Sequence, residues 1–491
     1  MLERPQSIDS DPEADAVSVV RLRRSLGVVD VALFFIVAGS NLQWVTTAAR
    51  AGASSLVVWI VGALTMFVPI ALVVVYLSSL YPEEGGMYVW SKRAFGPFAG
   101  FMTGWTYWTS NLPYFPALLY FAAGNALYVT GGDGGSLANS PAFFIAVALA
   151  GLIIGTVVNI LGLSVGKWLT NIGAISRWIA TLLLIGLGAF VWFRFGPATV
   201  IDATTVRPAL ELKNLIFWSV IAFAWVGPEA ISFMAGEIKQ PRRAIAVGLT
   251  VAAPVIAAIY VLGTASVLAL LPAGDVNPSS GVMQALARAS TRLGWPALTP
   301  VAAVLVAVSC MGSVGAWLGA AARIPFVAGV DRYLPASFGR MHPRYGSPMT
   351  ALVVQSAIAA IFIVLGQSGT TVKGAYDVLV STTVIITLLP FIYLFASAIR
   401  LGPVAANERA ARIPGGRRTI VAASALGLLT TVCAIALALV PAEDDPTKLL
   451  TFVKIVGMTL LTVGAGVALY VSAPGRRERK TLLSPASIGE P

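Results

Sequence analysis

Apolar residues in this chain come in runs of about 20, separated by short polar or Gly/Pro-containing stretches, and that is the length a helix needs to cross a hydrocarbon core. Ten-residue segments of strict alternation, the signature of a membrane barrel, do not occur. Reading the runs between loop signals predicts twelve spans near 27–50, 55–79, 96–129, 141–163, 168–195, 214–236, 245–271, 297–325, 348–367, 376–399, 419–441 and 450–472. The expected fold class is an all-α membrane protein. A polar tail, expected to be disordered, occupies 1–25. Two blocks of five spans follow, 26–196 and 213–400, within a core of 26–400; then a helix pair in 401–473 and a second tail at 474–491. Five acids and no apolar stretch before Val17 fit neither a signal nor a transit peptide.

Composition agrees: 57% of residues are hydrophobic and 11% charged, where a soluble domain carries about 25% charged residues. The net charge of +11 would suggest nucleic acid in a soluble protein, but here the cations sort with the loops. With the amino terminus inside, 23 of the 33 Lys and Arg fall on the inner side, nine on the outer, and Arg177 within a span. That bias places both termini in the cytoplasm and the chain in the cytoplasmic membrane. The basic clusters then serve topology first and anionic lipid second, and the lipid bilayer, not nucleic acid, is the expected large partner.

Several enzyme classes drop out. Cys310 and Cys433 lie in apolar runs, so neither a disulfide framework nor a thiolate metal site is expected. The loop 131–140 has no cysteine, so no disulfide-linked accessory subunit is expected either. A single histidine, His342, in the segment after the eighth span, excludes HExxH and a Ser-His-Asp triad placed in the bilayer, and reads as a solvated loop residue. Gly162 to Trp168 has the wrong glycine spacing for a phosphate loop, with Trp where Ser or Thr must reach magnesium. No cofactor or metal is expected, and no enzymatic activity. Met283 to Arg292 reads as an amphipathic loop helix on the outer side.

Two spans carry residues that a lipid-facing helix avoids: Val37-Ala38-Gly39-Ser40-Asn41 in the first and Phe223-Ala224-Trp225-Val226-Gly227-Pro228-Glu229 in the sixth. Such residues loosen the hydrogen-bond ladder, and backbone freed at membrane depth survives only where it lines a cavity. Each interruption opens a block of five, the pattern of an inverted repeat with its site at the interface. The alternative is that Gly39 and Gly227 merely allow close packing. Exposed helix amino ends suit a carboxylate and carboxyl ends an ammonium, so an amino acid zwitterion fits both. Phe223 and Trp225 are candidates to close over it, with packing as the other possibility.

The stretch Tyr81-Pro82-Glu83-Glu84-Gly85-Gly86-Met87-Tyr88-Val89-Trp90, with Arg93-Ala94-Phe95-Gly96-Pro97 and Gly100-Phe101 after it, resembles the loop after helix 2 of the amino acid-polyamine-organocation (APC) transporters. Gly227-Pro228-Glu229 and Ala235-Gly236-Glu237-Ile238-Lys239-Gln240-Pro241-Arg242-Arg243 resemble the same family's sixth helix and its exit. Gly281-Val282-Met283-Gln284 and Ile413-Pro414-Gly415-Gly416 look closest to the glutamate/GABA antiporter branch. The resemblance, which covers all twelve spans, implies a LeuT-like 5+5 inverted repeat and alternating access around an amino acid held between helices 1 and 6, with help from 3 and 8. Carried over, Ala38, Gly39 and Ser40 match the carboxylate cradle, Asn41 follows it, and Phe223 matches the closing aromatic. Ala38 and Ser40 replace glycines of the family pattern, which implies a narrower cavity with one more hydroxyl. Ser110 and Asn111 fall where relatives line the pocket, and Ala224, Trp225 and Gly227 complete the expected substrate-binding set.

Asp30, Arg177 and Glu229 are costly at membrane depth, by about 2.5–3.5 kcal/mol on insertion scales, and so are expected to face the bundle interior. Arg177 aligns with a lysine that in some proton-coupled relatives resembles a substitute for a sodium ion. An arginine does not release its proton, so sodium symport is disfavoured and exchange fits best; the alternative is that Arg177 snorkels to the surface. Glu229 has three readings: proton carrier, substrate-amine contact, or partner of loosened backbone. The expected function is amino acid transport by exchange, with proton-coupled symport and polyamine uptake as rivals and protons as a possible co-substrate.

Overall fold

The structure is a computed structural model that describes residues 27–81, 85–208, 212–324, 333–339, 341–401, 413–443 and 445–473. Both predicted tails and Pro82, Glu83 and Glu84 of the loop motif lie outside the described residues. Long apolar stretches with satisfied internal backbone bonds make most of the described residues helical, apart from loops and two breaks within spans. The first block comprises Val28–Gly39 (α1), Leu42–Ala49 (α2), Ser54–Gly62 (α3), Val68–Leu80 (α4), Gly86–Phe95 (α5), Pro97–Thr109 (α6), Asn111–Ala126 (α7), Pro141–Ile160 (α8) and Leu163–Phe195 (α9). The second comprises Leu212–Ala224 (α10), Pro241–Leu270 (α11), Gly281–Leu293 (α12), Leu298–Ala321 (α13), Met349–Gln367 (α14) and Val372–Leu401 (α15); Gly416–Ala438 (α16) and Lys448–Ser472 (α17) close the chain.

Ten helical segments among the described residues are long and apolar enough to cross a membrane, or eleven when α1 and α2, bent by 42° at their junction, count as one. Large apolar side chains such as Leu182, Phe193, Leu460 and Leu461 stand exposed on the outer faces, as hydrocarbon solvent allows. The best hydrophobic window of α15 is 78% buried against 28% for α16 and 22% for α17, so α15 is central and the last two helices are peripheral. α1 packs along α11 and α9 along α13, tying the two blocks together.

Proline explains two departures from simple rods. The third predicted span is two helices, α6 and α7, divided at Ser110: Pro113 has no N–H for the Thr109 carbonyl, and its ring crowds that oxygen. Between α3 and α4 the turn Ala63–Phe67 is π-helical, just before Pro69, which cannot donate to Thr65. The amphipathic loop helix expected at Met283 to Arg292 is α12, which buries Val282, Met283, Leu286 and Ala289.

Candidate functional site

The first break lies between Gly39 and Leu42. Ser40 and Asn41 are extended (φ −116° and −140°), so the chain leaves one helix and caps the next, with Asn41 Oδ1 accepting the Gln43 N–H at 3.4 Å. The carbonyls freed at the end of α1 are taken by α9: Arg177 Nη1 donates to Ser40 O at 2.9 Å and to Val37 O at 3.3 Å. Arg177 therefore does not snorkel. Its guanidinium is a fixed cation against a helix carboxyl end, where the dipole favours positive charge.

At the second break α10 stops at Ala224, and a 3-10 segment begins at Pro228 and runs to Glu237. Gly227 has φ +141°, a conformation that side chains other than glycine's rarely adopt, and a Cβ there would sit 3.6 Å from the Ala38 carbonyl. The two breaks thus meet, backbone against backbone. Glu229 is buried at 1% exposure, with Oε2 accepting the Gly227 N–H at 2.8 Å and Oε1 the Tyr107 hydroxyl at 3.1 Å. Its carboxylate braces the break and also reaches the space beside it.

That space is a cavity with about 590 Å³ of atom-free volume, counting its mouth. Ala38, Asn41 and Trp44 of the first break line it, as do Phe223, Ala224, Val226, Gly227 and Glu229 of the second. Tyr107, Ser110, Asn111 and Tyr114 come from α6 and α7, Tyr260 from α11, Trp317 from α13, and Thr383 and Thr387 from α15. Asn41 Nδ2 donates to the Tyr114 hydroxyl at 3.0 Å, and Trp44 meets Phe223 edge-on with centroids 5.1 Å apart. One side of the cavity is therefore covered by an aromatic pair drawn from the two broken spans. Beyond it, Arg50 at the end of α2 reaches Asp377 of α15 at 3.4 Å and lies over the Phe217 ring of α10.

Seven of the expected substrate-binding residues line this cavity: Ala38, Asn41, Ser110, Asn111, Phe223, Ala224 and Gly227. Three do not. Gly39 is not on the cavity wall and packs against α11, where a Cβ would meet Ile256 Cδ1 at 2.7 Å. The Ser40 hydroxyl donates back to Ile36 O at 2.6 Å, so the extra hydroxyl expected in the cavity is spent on the helix end. Trp225 points away, its Nε1 donating to Trp59 O at 3.1 Å and its ring packed on Trp59, Phe67 and Tyr260. Asp30 is not an interior charge either: it is exposed in the first turn of α1 and accepts the Gly27 N–H at 2.8 Å, which suits a helix amino end. Trp44, Tyr107, Tyr114, Tyr260, Trp317, Thr383 and Thr387 were not anticipated. Thr383 and Thr387, four apart on one face of α15 in a mid-span stretch that also holds Ser381 and Thr382, carried a signal that could have found them.

Helices built for hydrocarbon, two of them interrupted around a hollow, define a multi-pass membrane protein with an interior cavity. The amino acid permease family model matches residues 25–461, and the chain belongs to that family. It is 30% identical over 433 residues to an uncharacterized transporter of Legionella pneumophila, covering 87% of this chain and 92% of the relative. An uncharacterized transporter of Mycobacterium bovis is 28% identical over 372 residues, 73% of this chain and 78% of the relative. A probable agmatine/putrescine antiporter of Lactococcus lactis is 23% identical over 403 residues, 82% of this chain and 85% of the relative. Membership makes the chain a transporter of small molecules.

Proposed function

We propose that the protein carries amino acids and related amines across the cytoplasmic membrane by alternating access, as an exchanger, with the substrate bound in the cavity between the two breaks. The observation that carries this is the meeting of Ala38 and Gly227 at the wall of a polar-lined hollow, with Glu229 and Asn41 facing in. In the proposed topology α6 and α7 together form a twelfth crossing, and the two blocks of five are inverted repeats, each opening with a broken span. The bias of Lys and Arg supports a topology with both termini in the cytoplasm and the Arg50–Asp377 pair on the outer side, where it would hold the aromatic cover shut.

Exchange is favoured over sodium symport because Arg177 occupies the carbonyls at the end of α1 with a charge that does not dissociate. An exchanger needs no ion cycle: the empty carrier need only reorient slowly, so that substrate on each side drives the return. Proton symport is the second reading, favoured by a buried carboxylate that faces the cavity while hydrogen-bonded to Tyr107. Counterflow in proteoliposomes separates the two. An exchanger accumulates labelled substrate against unlabelled substrate without a pH gradient, whereas a symporter concentrates it into substrate-free vesicles when a gradient is imposed. Uptake driven by sodium would contradict the role given to Arg177.

A further inference from the structure

Gln43, in the first turn of α2, is a long polar side chain sealed into the protein. It is 0% exposed, and among the described residues neither its Nε2 nor its Oε1 has a hydrogen-bond partner. Polar side chains around it are paired: Asn41 Nδ2 donates to Tyr114, Thr46 Oγ1 to Pro278 O at 3.2 Å, and Arg50 to Asp377. Arg50 follows Gln43 by two helical turns, so the two point the same way about 10 Å apart. Between them Thr47 meets Tyr376 of α15. The Tyr376 hydroxyl, although beside Thr47, makes no hydrogen bond of ordinary geometry and is buried as well. Tyr376 stands two turns from Thr383, on the same face of α15, and Thr383 lines the cavity. The unpaired groups therefore lie between the cavity and the Arg50–Asp377 pair, in the layer that the aromatic cover closes.

We infer that Gln43 and Tyr376 oppose the outer seal from within: their polar atoms are dry and unpaired while the cover is shut and take water when it opens, which keeps the shut state from becoming a trap. The inference rests on the transport reading and adds to it what reopens the passage. A buried donor or acceptor without a partner costs its full desolvation, whereas an apolar group of similar shape in the same place does not. Gln43 carries two such atoms and Tyr376 a third. They are set against one edge-on aromatic contact, Trp44 with Phe223, and one partly exposed ion pair, which are interactions of the same order. The shut state leaves no water-sized space at the Gln43 amide. When α2 and α15 part, Gln43 and Thr47 on one side and Tyr376 and Thr383 on the other become the wetted walls of one passage.

The test uses the full-length protein with Cys310 and Cys433 replaced by serine and one cysteine at Thr387 on the cavity wall, in right-side-out membrane vesicles labelled from outside by a membrane-impermeant thiol reagent. Gln43→Met keeps the length of the side chain and removes two of the unpaired atoms; Tyr376→Phe removes the third. Each is expected to slow labelling at 387 by at least about fivefold, the equivalent of about 1 kcal/mol, and to raise the unfolding midpoint of the purified protein. Asp377→Asn acts the other way, and adding Gln43→Met to it is expected to bring labelling back toward wild type, which a packing change unconnected with the seal would not do. Tyr376→Phe keeps the inference decisive if methionine packs poorly at 43. Labelling that neither variant slows, with counterflow intact in the same vesicles, overturns the inference and leaves the transport reading standing. Absence of counterflow with every amino acid and amine tried overturns that reading too.

Discussion

Replacing Arg177 with methionine removes the group that ties α9 to the broken end of α1 while keeping an unbranched apolar stem. Two carbonyl oxygens, Ser40 O and Val37 O, then lose a charged donor at 2.9 and 3.3 Å. Leaving a buried acceptor unpaired costs about 1–3 kcal/mol, and Arg177 is only partly buried, so about 2–4 kcal/mol is expected for the pair. Arg177→Lys should lose roughly half of that, because an ammonium is a compact point charge without the planar fork. The assay is thermal unfolding of purified wild type, Arg177→Met and Arg177→Lys in sodium and in choline buffer. The vacated carbonyls are oxygen ligands for a hard cation, so sodium should stabilise Arg177→Met and leave wild type unchanged. A methionine variant as stable as wild type, or wild-type protein stabilised by sodium, refutes the view that the guanidinium occupies this position in place of an ion.

Four further substitutions separate the parts of the site. Trp225→Ala should cost about 3–5 kcal/mol of stability by emptying the space between Trp59 and Phe67, yet leave substrate selectivity unaltered in what folds; Phe223→Ala should instead raise the half-saturating substrate concentration in counterflow. Asp377→Asn breaks a partly exposed pair worth about 1 kcal/mol and should open the outer cover roughly fivefold more often, read as faster modification of a cysteine at Thr387 by a membrane-impermeant reagent. Gly86→Ala puts a methyl into Ser232 Oγ, and 2.6 Å from Ser232 Cβ, at φ +43°. That should cost about 2–5 kcal/mol and separate α5 from the segment holding Glu229, seen as lost thermal stability and slower exchange.

Much of the fold was legible because hydrocarbon imposes one rule on every crossing, so the apolar runs alone mark the helices to within a few residues. The breaks were legible for a related reason: Gly39, Ser40, Gly227 and Pro228 are conspicuous where every backbone group must be paired. Which side chains at a break face the cavity was not legible, because extended backbone abandons the helical period that lets direction be read from spacing. Ser40 turns its hydroxyl back to the helix end on that account while Asn41 beside it faces the cavity, and Trp225, in the turn that ends α10, points away while Phe223 lines the wall. Asp30 was misjudged because a carboxylate in the first helical turn sits at the surface of the span. Thr383 and Thr387 went unread because Ser381 and Thr382 put hydroxyls on other sides of α15 as well, and only the central position of the helix shows which face lines a cavity.

Substrate protection of a single cysteine tests the location of the site most directly. With Cys310 and Cys433 both replaced by serine, a single cysteine at Thr387, on the cavity wall, or at Leu461, on the outer face of α17, is labelled with a thiol reagent while transported substrate is titrated in. Binding between the two breaks predicts that labelling at 387 falls with the same half-effective concentration that governs counterflow, while labelling at 461 does not change. Labelling at 387 that ignores saturating substrate would place binding elsewhere and contradict the account.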